Sequence, residues 1–229
     1  MTFQDRRDAG RRLADRLRHL AGEDVIVLAL PRGGVPVAFE VAQALHAPLD
    51  LVLVRKIGAP GHEEYGVGAV VDGAAPQVVL NDAIIADLSI PEVYVDAEIK
   101  RQLAEIERRR GAYLGGRAPI PVAGRTVLVV DDGIATGGTV RAALAALRRQ
   151  APARLILAVP VAPAEALALA GRDADETICL ATPEDFVAVG QYYSDFTQTT
   201  DAEVVSLLAR SSADTASPGS FGRADQREQ

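Results

Sequence analysis

The chain alternates between two hydrophobic patterns. Leu13, Leu17 and Leu20 recur at helical spacing with arginines between them, which predicts an opening amphipathic helix. Val25 to Leu30 is a short unbroken apolar run that ends in Pro-Arg-Gly-Gly, the pattern of a buried strand running into a glycine turn. Val35 to Leu45 reads as a helix and Leu49 to Val54 as a second strand. Strand, loop, helix, strand in that order predicts a parallel sheet with helices packed on it. From Lys56 to about Asp82, glycines 58, 61, 66, 68 and 73 and Pro60 interrupt any period, and the stretch reads as one long functional loop. A helix from about Glu92 to Tyr113 follows, with Ile99, Leu103, Ile106 and Tyr113 on one face. Its charged face (Glu98, Arg101, Glu105, Arg108, Arg109) reads as solvated surface. Strands at Thr126–Val130, Leu155–Val161 and Glu176–Leu180 alternate with helices at Val140–Arg149 and Ala164–Ala170. A last helix spans Asp201 to Ala209, capped by Thr200 or Asp201. Residues 1–210 are expected to form one α/β domain, and the small, polar, aperiodic 211–229 segment a disordered tail.

Composition narrows the function. The 229 residues can bury a real core. No apolar run approaches the roughly 20 residues of a membrane span, and the charged start has no apolar signal stretch, so a cytoplasmic protein without membrane contact is expected. A single cysteine, Cys179, excludes an intrachain disulfide and a multi-cysteine zinc cage. The formal charge of −7 disfavours nucleic acid as a partner. It leaves room for a small anion bound by a local cluster of N–H donors.

The chemistry concentrates in Val127-Leu-Val-Val-Asp131-Asp132-Gly133-Ile134-Ala135-Thr136-Gly137-Gly138-Thr139, between a strand and a helix. Ligands of open α/β sheets bind at the carboxyl ends of strands. Three glycines allow close backbone approach, and the following helix offers free N–H groups, an arrangement suited to phosphate. Thr136 and Thr139 add hydroxyl donors. Two adjacent carboxylates suit a vicinal diol, so the pair and the loop together suit a ribose 5-phosphate. The segment lacks the lysine of a P-loop and the G-x-G-x-x-G of a dinucleotide fingerprint.

This segment resembles the signature of the type I phosphoribosyltransferases, which bind 5-phosphoribosyl 1-diphosphate. The resemblance implies an α/β fold, a parallel sheet flanked by helices, with a small hood and a flexible active-site loop. It implies that Asp131 and Asp132 hold the ribose hydroxyls, and that Gly133, Ile134, Ala135, Thr136, Gly137, Gly138 and Thr139 hold the 5-phosphate. Leu30-Pro31-Arg32-Gly33-Gly34 is similar to the family's pyrophosphate loop, which often carries a non-proline cis peptide; whether Arg32–Gly33 is that bond stays open. Lys56, and less directly Arg55, would face the pyrophosphate, so Arg32 and Lys56 join the two aspartates as catalytic candidates. Gly58 to Val71, with His62, Glu63, Glu64 and Tyr65, resembles the closing loop. The hood would include 181–196, where Phe186 or Tyr192 could stack on a base; packing of these rings against the last helix is the competing reading.

The family's 6-oxopurine enzymes carry an acid three places after the second aspartate, where this chain has Ala135, so the loop is nearer the adenine-type pattern. R-G-G-V-P-V-A and V-R-K-I-G-A-P-G also match a subgroup of bacterial phosphoribosyltransferases. The resemblance therefore implies a transferase that moves the phosphoribosyl group onto a nitrogenous base, purine-like by preference, in nucleotide salvage. Mg²⁺ would be carried by the substrate near Asp131 and Asp132, and a homodimer is the family expectation. A non-catalytic regulator that binds the same diphosphate or a nucleotide is the alternative, and a phosphoribosyl hydrolase a further one.

Overall fold

The computed structural model describes residues 1–73 and 76–216, and the side chains of 63–65 and 214–216 lie outside the described set. Five strands form a wholly parallel sheet: β1 (Val25–Ala29), β2 (Leu49–Leu51), β6 (Thr126–Val130), β7 (Arg154–Val161) and β8 (Glu176–Ala181), ordered β2-β1-β6-β7-β8. Ile26 sits opposite Val127, and Leu128 opposite Ile156. Alternate residues of a strand face opposite sides, so both faces need apolar cover. Val27, Ala29, Leu128, Val130 and Ile156 point to one core, with residues of α1 (Arg6–Arg16), α2 (Gly34–Leu45) and α7 (Asp201–Ala216). Ile26, Leu28, Val127, Val129 and Leu157 point to the other, with residues of α5 (Gly138–Arg148) and α6 (Ala164–Ala170). The strand–helix alternation expected from the sequence is this doubly covered sheet.

Three expectations are corrected. The run Leu49–Val54 is not one strand: β2 stops at Leu51, and Val54 opens β3 (Val54–Ala59) in a second sheet. The stretch from Lys56 onward is not an irregular loop. It is an antiparallel meander of β3, β4 (His62–Val71) and β5 (Gln77–Leu80), followed by α3 (Asp82–Asp87). Gly68 serves strand packing: a Cβ there would stand 2.6 Å from the Val79 carbonyl oxygen. The charged face of α4 (Glu92–Leu114) is not all surface, because Glu98 is buried, accepting from Arg101 and from Gln102 at 2.6 Å.

The C-terminal helix begins where expected, with the Thr200 hydroxyl accepting from the Glu203 amide at 3.1 Å. It runs on through residues read as tail. Ser211 is buried, and the Ser212 hydroxyl donates to the Leu208 carbonyl while accepting from Arg117. Residues 217–229, the rest of that expected tail, lie outside the described residues.

A buried charge network ties the meander to the main sheet. Arg110 of α4 donates to Asp72 at the end of β4 and to Asp50 of β2, while Asp50 also accepts from the Leu51 and Ile120 amides. Burial pushes the Asp72 carboxyl up, against the pull of Arg110.

Candidate active site

The site lies at the carboxyl ends of β1 and β6, neighbours in the sheet. The Leu30 amide donates to the Val130 carbonyl at 2.9 Å, which carries the pairing one step past β1. The chain then turns through Pro31–Gly34 into α2, with a cis bond at Pro31–Arg32 rather than Arg32–Gly33. Absent side chains let this turn touch the end of β6. A Cβ at Gly33 would lie 2.1 Å from an Asp132 carboxylate oxygen, and one at Gly34 would lie 2.8 Å from the Val130 carbonyl oxygen and 2.9 Å from the Asp131 Cα.

Asp131 and Asp132 follow β6 directly, half-buried side by side. Asp131 Oδ1 accepts from the Asp132 amide at 2.8 Å. Burial, and then the neighbouring Asp132 charge, push the Asp131 carboxyl well above its usual range. Burial raises Asp132 too, but Arg6 pulls it back. The loop then passes through Gly133, buried Ile134, exposed Ala135 and Thr136, and Gly137 at φ 77° before α5 starts at Gly138. Ile134 is an anchor: its amide donates to the Val161 carbonyl at 2.9 Å and its side chain sits in the core. The amides at the start of α5 have no carbonyl a turn earlier within the helix, which leaves this end disposed toward anions.

The meander brings the basic candidates to the same edge by another route. Exposed Lys56 and Thr139 share the lining of two cavities, of about 530 and about 480 Å³. The larger lies between β3 and α4 and includes Arg55, whose Nε donates to Gln102 at 2.9 Å. The smaller lies between the meander and α5 and includes Gly138, Asn81 and Arg141. Arg32 reaches Asp201 at the start of α7 at 3.4 Å, and the Tyr113 hydroxyl donates to the same carboxylate at 2.9 Å. His62 is exposed on β4; the side chains of Glu63, Glu64 and Tyr65 lie outside the described residues.

The aromatic segment after β8 turns largely inward. Tyr192 is buried, with Phe186 stacked on it at 5.7 Å between centroids. That leaves half-buried Phe186 as the ring of the pair with a reachable surface. Tyr193 donates its hydroxyl to the Asp132 carbonyl oxygen at 2.5 Å.

The residue that sequence reasoning missed is Arg6. Its Nε donates to Asp132 Oδ2 at 2.8 Å, its Nη1 to the Thr197 carbonyl at 2.8 Å, and its guanidinium lies 3.9 Å from the centre of the Phe196 ring. It is one of six arginines among the first twenty residues, and nothing local marks it out.

Residues 4–197 match the family model described as a phosphoribosyl transferase domain. Two Mycobacterium tuberculosis proteins, from strains CDC 1551 and H37Rv, each named "Putative phosphoribosyl transferase", are 48% identical over 222 residues, or 97% of this chain. The chain spans about half the length of these curated relatives, 50% of each. The crystal structure of TT1426 from Thermus thermophilus superposes with a TM-score of 0.80 at 43% identity, covering 92% of this chain and 99% of that one. The match over residues 4–197, nearly the whole described fold, shows that the chain belongs to the phosphoribosyl transferase domain family.

Proposed function

We propose that the chain moves a 5-phosphoribosyl group from 5-phosphoribosyl 1-diphosphate to a nitrogenous base and releases pyrophosphate. One observation carries the reading: two half-buried carboxylates at the end of β6 open directly into a glycine loop and a helix start, with the Gly33–Gly34 backbone packed against both acids. The carboxylates accept from the ribose 2- and 3-hydroxyls. The backbone of Gly133 and of 135–139 and the Thr136 and Thr139 hydroxyls hold the 5-phosphate, while the Ile134 amide is engaged by Val161 and anchors the loop. Arg32, the Gly33 and Gly34 amides and Lys56, with Arg55 behind it, face the diphosphate.

In the reaction the C1–oxygen bond breaks and its electron pair leaves with pyrophosphate. The base nitrogen forms the new bond to C1, and any proton it sheds passes to the released pyrophosphate or to water. C1 becomes cationic in between, so the work of the protein is alignment and stabilisation of the leaving oxygens. No general base is assigned.

The donor set bears on magnesium. Among the described residues no three His, Cys, Asp or Glu side chains cluster as a metal cage. Two adjacent carboxylates do fit a hard cation that brings oxygen ligands from a substrate, so Asp131 and Asp132 are the residues that would face it. When bound, such an ion neutralises the charge on the departing diphosphate.

For the acceptor we favour a flat, purine-like base. Phe186 is the ring placed to stack on it, while Tyr192 acts from behind by holding Phe186.

Calorimetric titration with the diphosphate and Mg²⁺, followed by a screen of bases for pyrophosphate release, tests the reading. Binding by the wild type that disappears when Asp131→Asn and Asp132→Asn are combined, with turnover on one base, is the expected result. Binding without turnover on any base points instead to the regulatory alternative, and ribose 5-phosphate formed without added base points to hydrolysis. A folded wild type that does not bind refutes the site.

A further inference from the structure

The site has a wall that its motifs do not supply. Near the amino terminus, Phe3 bridges Tyr193: its amide donates to the Tyr192 carbonyl, and its carbonyl accepts from the Ser194 amide, both at 2.8 Å. The Asp195 amide adds a bond to the Gln4 carbonyl at 2.9 Å. Three residues after Phe3, this ladder delivers Arg6 to Asp132.

We infer that Arg6 is a positioning residue for the ribose-binding carboxylate, acting through Asp132. The inference rests on the proposed reading of Asp131 and Asp132 as the ribose site.

The argument is geometric first. The Arg6 side chain is 11% exposed and held by three groups at once: the Asp132 carboxylate, the Thr197 carbonyl and the Phe196 ring. An arginine fixed on three sides fixes what it touches, and its Nε–Oδ2 bond sets the rotation of the Asp132 carboxylate. The Tyr193 hydroxyl holds the Asp132 carbonyl from the same segment, so backbone and side chain of one residue are secured by one wall. An arginine serving only to staple the fold could pair with any of the surface acids of this net-acidic chain. This one pairs with an acid of the motif.

Charge is the second part. The charged and titratable groups facing Asp132 are Arg6 of α1, Asp131 beside it and Tyr193 of the following segment. Arg6 is the cation among them, so its removal frees the Asp132 carboxylate to turn and leaves the acid pair without its counter-charge.

The test is calorimetry of 5-phosphoribosyl 1-diphosphate, ribose 5-phosphate and inorganic pyrophosphate, each with Mg²⁺, on wild type, Arg6→Gln and Arg6→Lys, each checked for folding by its melt. Arg6→Gln should bind the two ribose ligands about tenfold more weakly, the scale of one charge-assisted hydrogen bond, and should bind pyrophosphate, which has no diol, as the wild type does. Arg6→Lys, which keeps the charge and loses the fork, should recover part of the loss. Wild-type affinity for the ribose ligands in Arg6→Gln overturns the inference and leaves the ribose site standing, as does an equal loss for pyrophosphate. If Arg6→Gln does not fold, Arg6→Lys decides: weaker binding of the ribose ligands alone supports the inference, and unchanged binding overturns it. A wild type that does not bind overturns the ribose reading and this inference with it.

Discussion

Replacing Asp131 by Asn should stabilise the protein while destroying the proposed ribose site. The carboxylate accepts the Asp132 amide through Oδ1 at 2.8 Å, a bond an asparagine oxygen keeps. What the substitution removes is a charge pushed upward by burial and by the adjacent acid. Two like charges at about 4 Å and an effective dielectric of about 20 repel by about 4 kcal/mol. Arg6 and relaxation of the site offset part of this, leaving a gain of about 1–2 kcal/mol, or a melting temperature higher by about 3–6 °C for a domain of this size. The sign is fixed by linkage. A carboxyl raised in the folded state contributes stability that is full below its unfolded value and is lost as pH rises through its folded value. The wild type therefore carries the penalty at neutral pH and sheds it toward the ordinary value of 3.8, where the two melting curves should meet. Asp132→Asn should show no such gain, because it strands Arg6 without its carboxylate. The assay is thermal unfolding of both variants between acidic and neutral pH. An Asp131→Asn gain that is absent, or that persists undiminished in acid, refutes the view of the pair as a strained, like-charged site.

Three further outcomes follow from the geometry. Gly34→Ala puts a Cβ within 2.8–2.9 Å of backbone at Val130 and Asp131, so the turn must shift; binding of the diphosphate should weaken about a hundredfold in a folded protein, read by calorimetry. Lys56→Gln should weaken binding of 5-phosphoribosyl 1-diphosphate and leave ribose 5-phosphate untouched; equal losses for both would move Lys56 from the diphosphate to the 5-phosphate. Arg110→Met strands Asp72 in the interior, leaves Asp50 to Arg117 and two amides, and should cost about 3 kcal/mol in urea unfolding, less in acid where Asp72 is protonated. A loss below about 1 kcal/mol would mean that the network is hydrated in solution.

What the sequence revealed and what it hid divide along range. Val25–Leu30 and Thr126–Val130 are legible because a parallel strand covered on both faces must be apolar throughout. The acid pair and the glycine loop are legible because their chemistry is contiguous. The meander was not, because Gly66 and Gly68 read as punctuation, whereas Gly68 is where one strand presses on the Val79 and Leu80 backbone of the next. Glu98 sits in a run of charges that looks like solvated surface; Gln102 lies one helical turn on, but only the third dimension brings Arg55 to Gln102. Arg6 lies 126 positions from Asp132, and no periodicity can connect them.

The distribution of roles then has a physical reason. The groups proposed to hold ribose and phosphate sit at strand ends of a sheet packed on both faces, where the backbone is fixed by its neighbours. A buried pair of like charges is costly in such a place and needs a counter-charge. The motif cannot supply one, since a cation within the loop would compete for the phosphate that the loop amides are disposed to bind. The counter-charge therefore has to come from outside the motif, on an element whose position is independently secured. The Phe3–Tyr193 ladder secures the first turn of α1 against the segment after β8, and Arg6 is the basic residue of that turn that reaches the pair. On this argument the amino-terminal residues belong to the site as much as the loop does. A charge of the right sign placed at Asp132 from another element should compensate in part for the loss of Arg6.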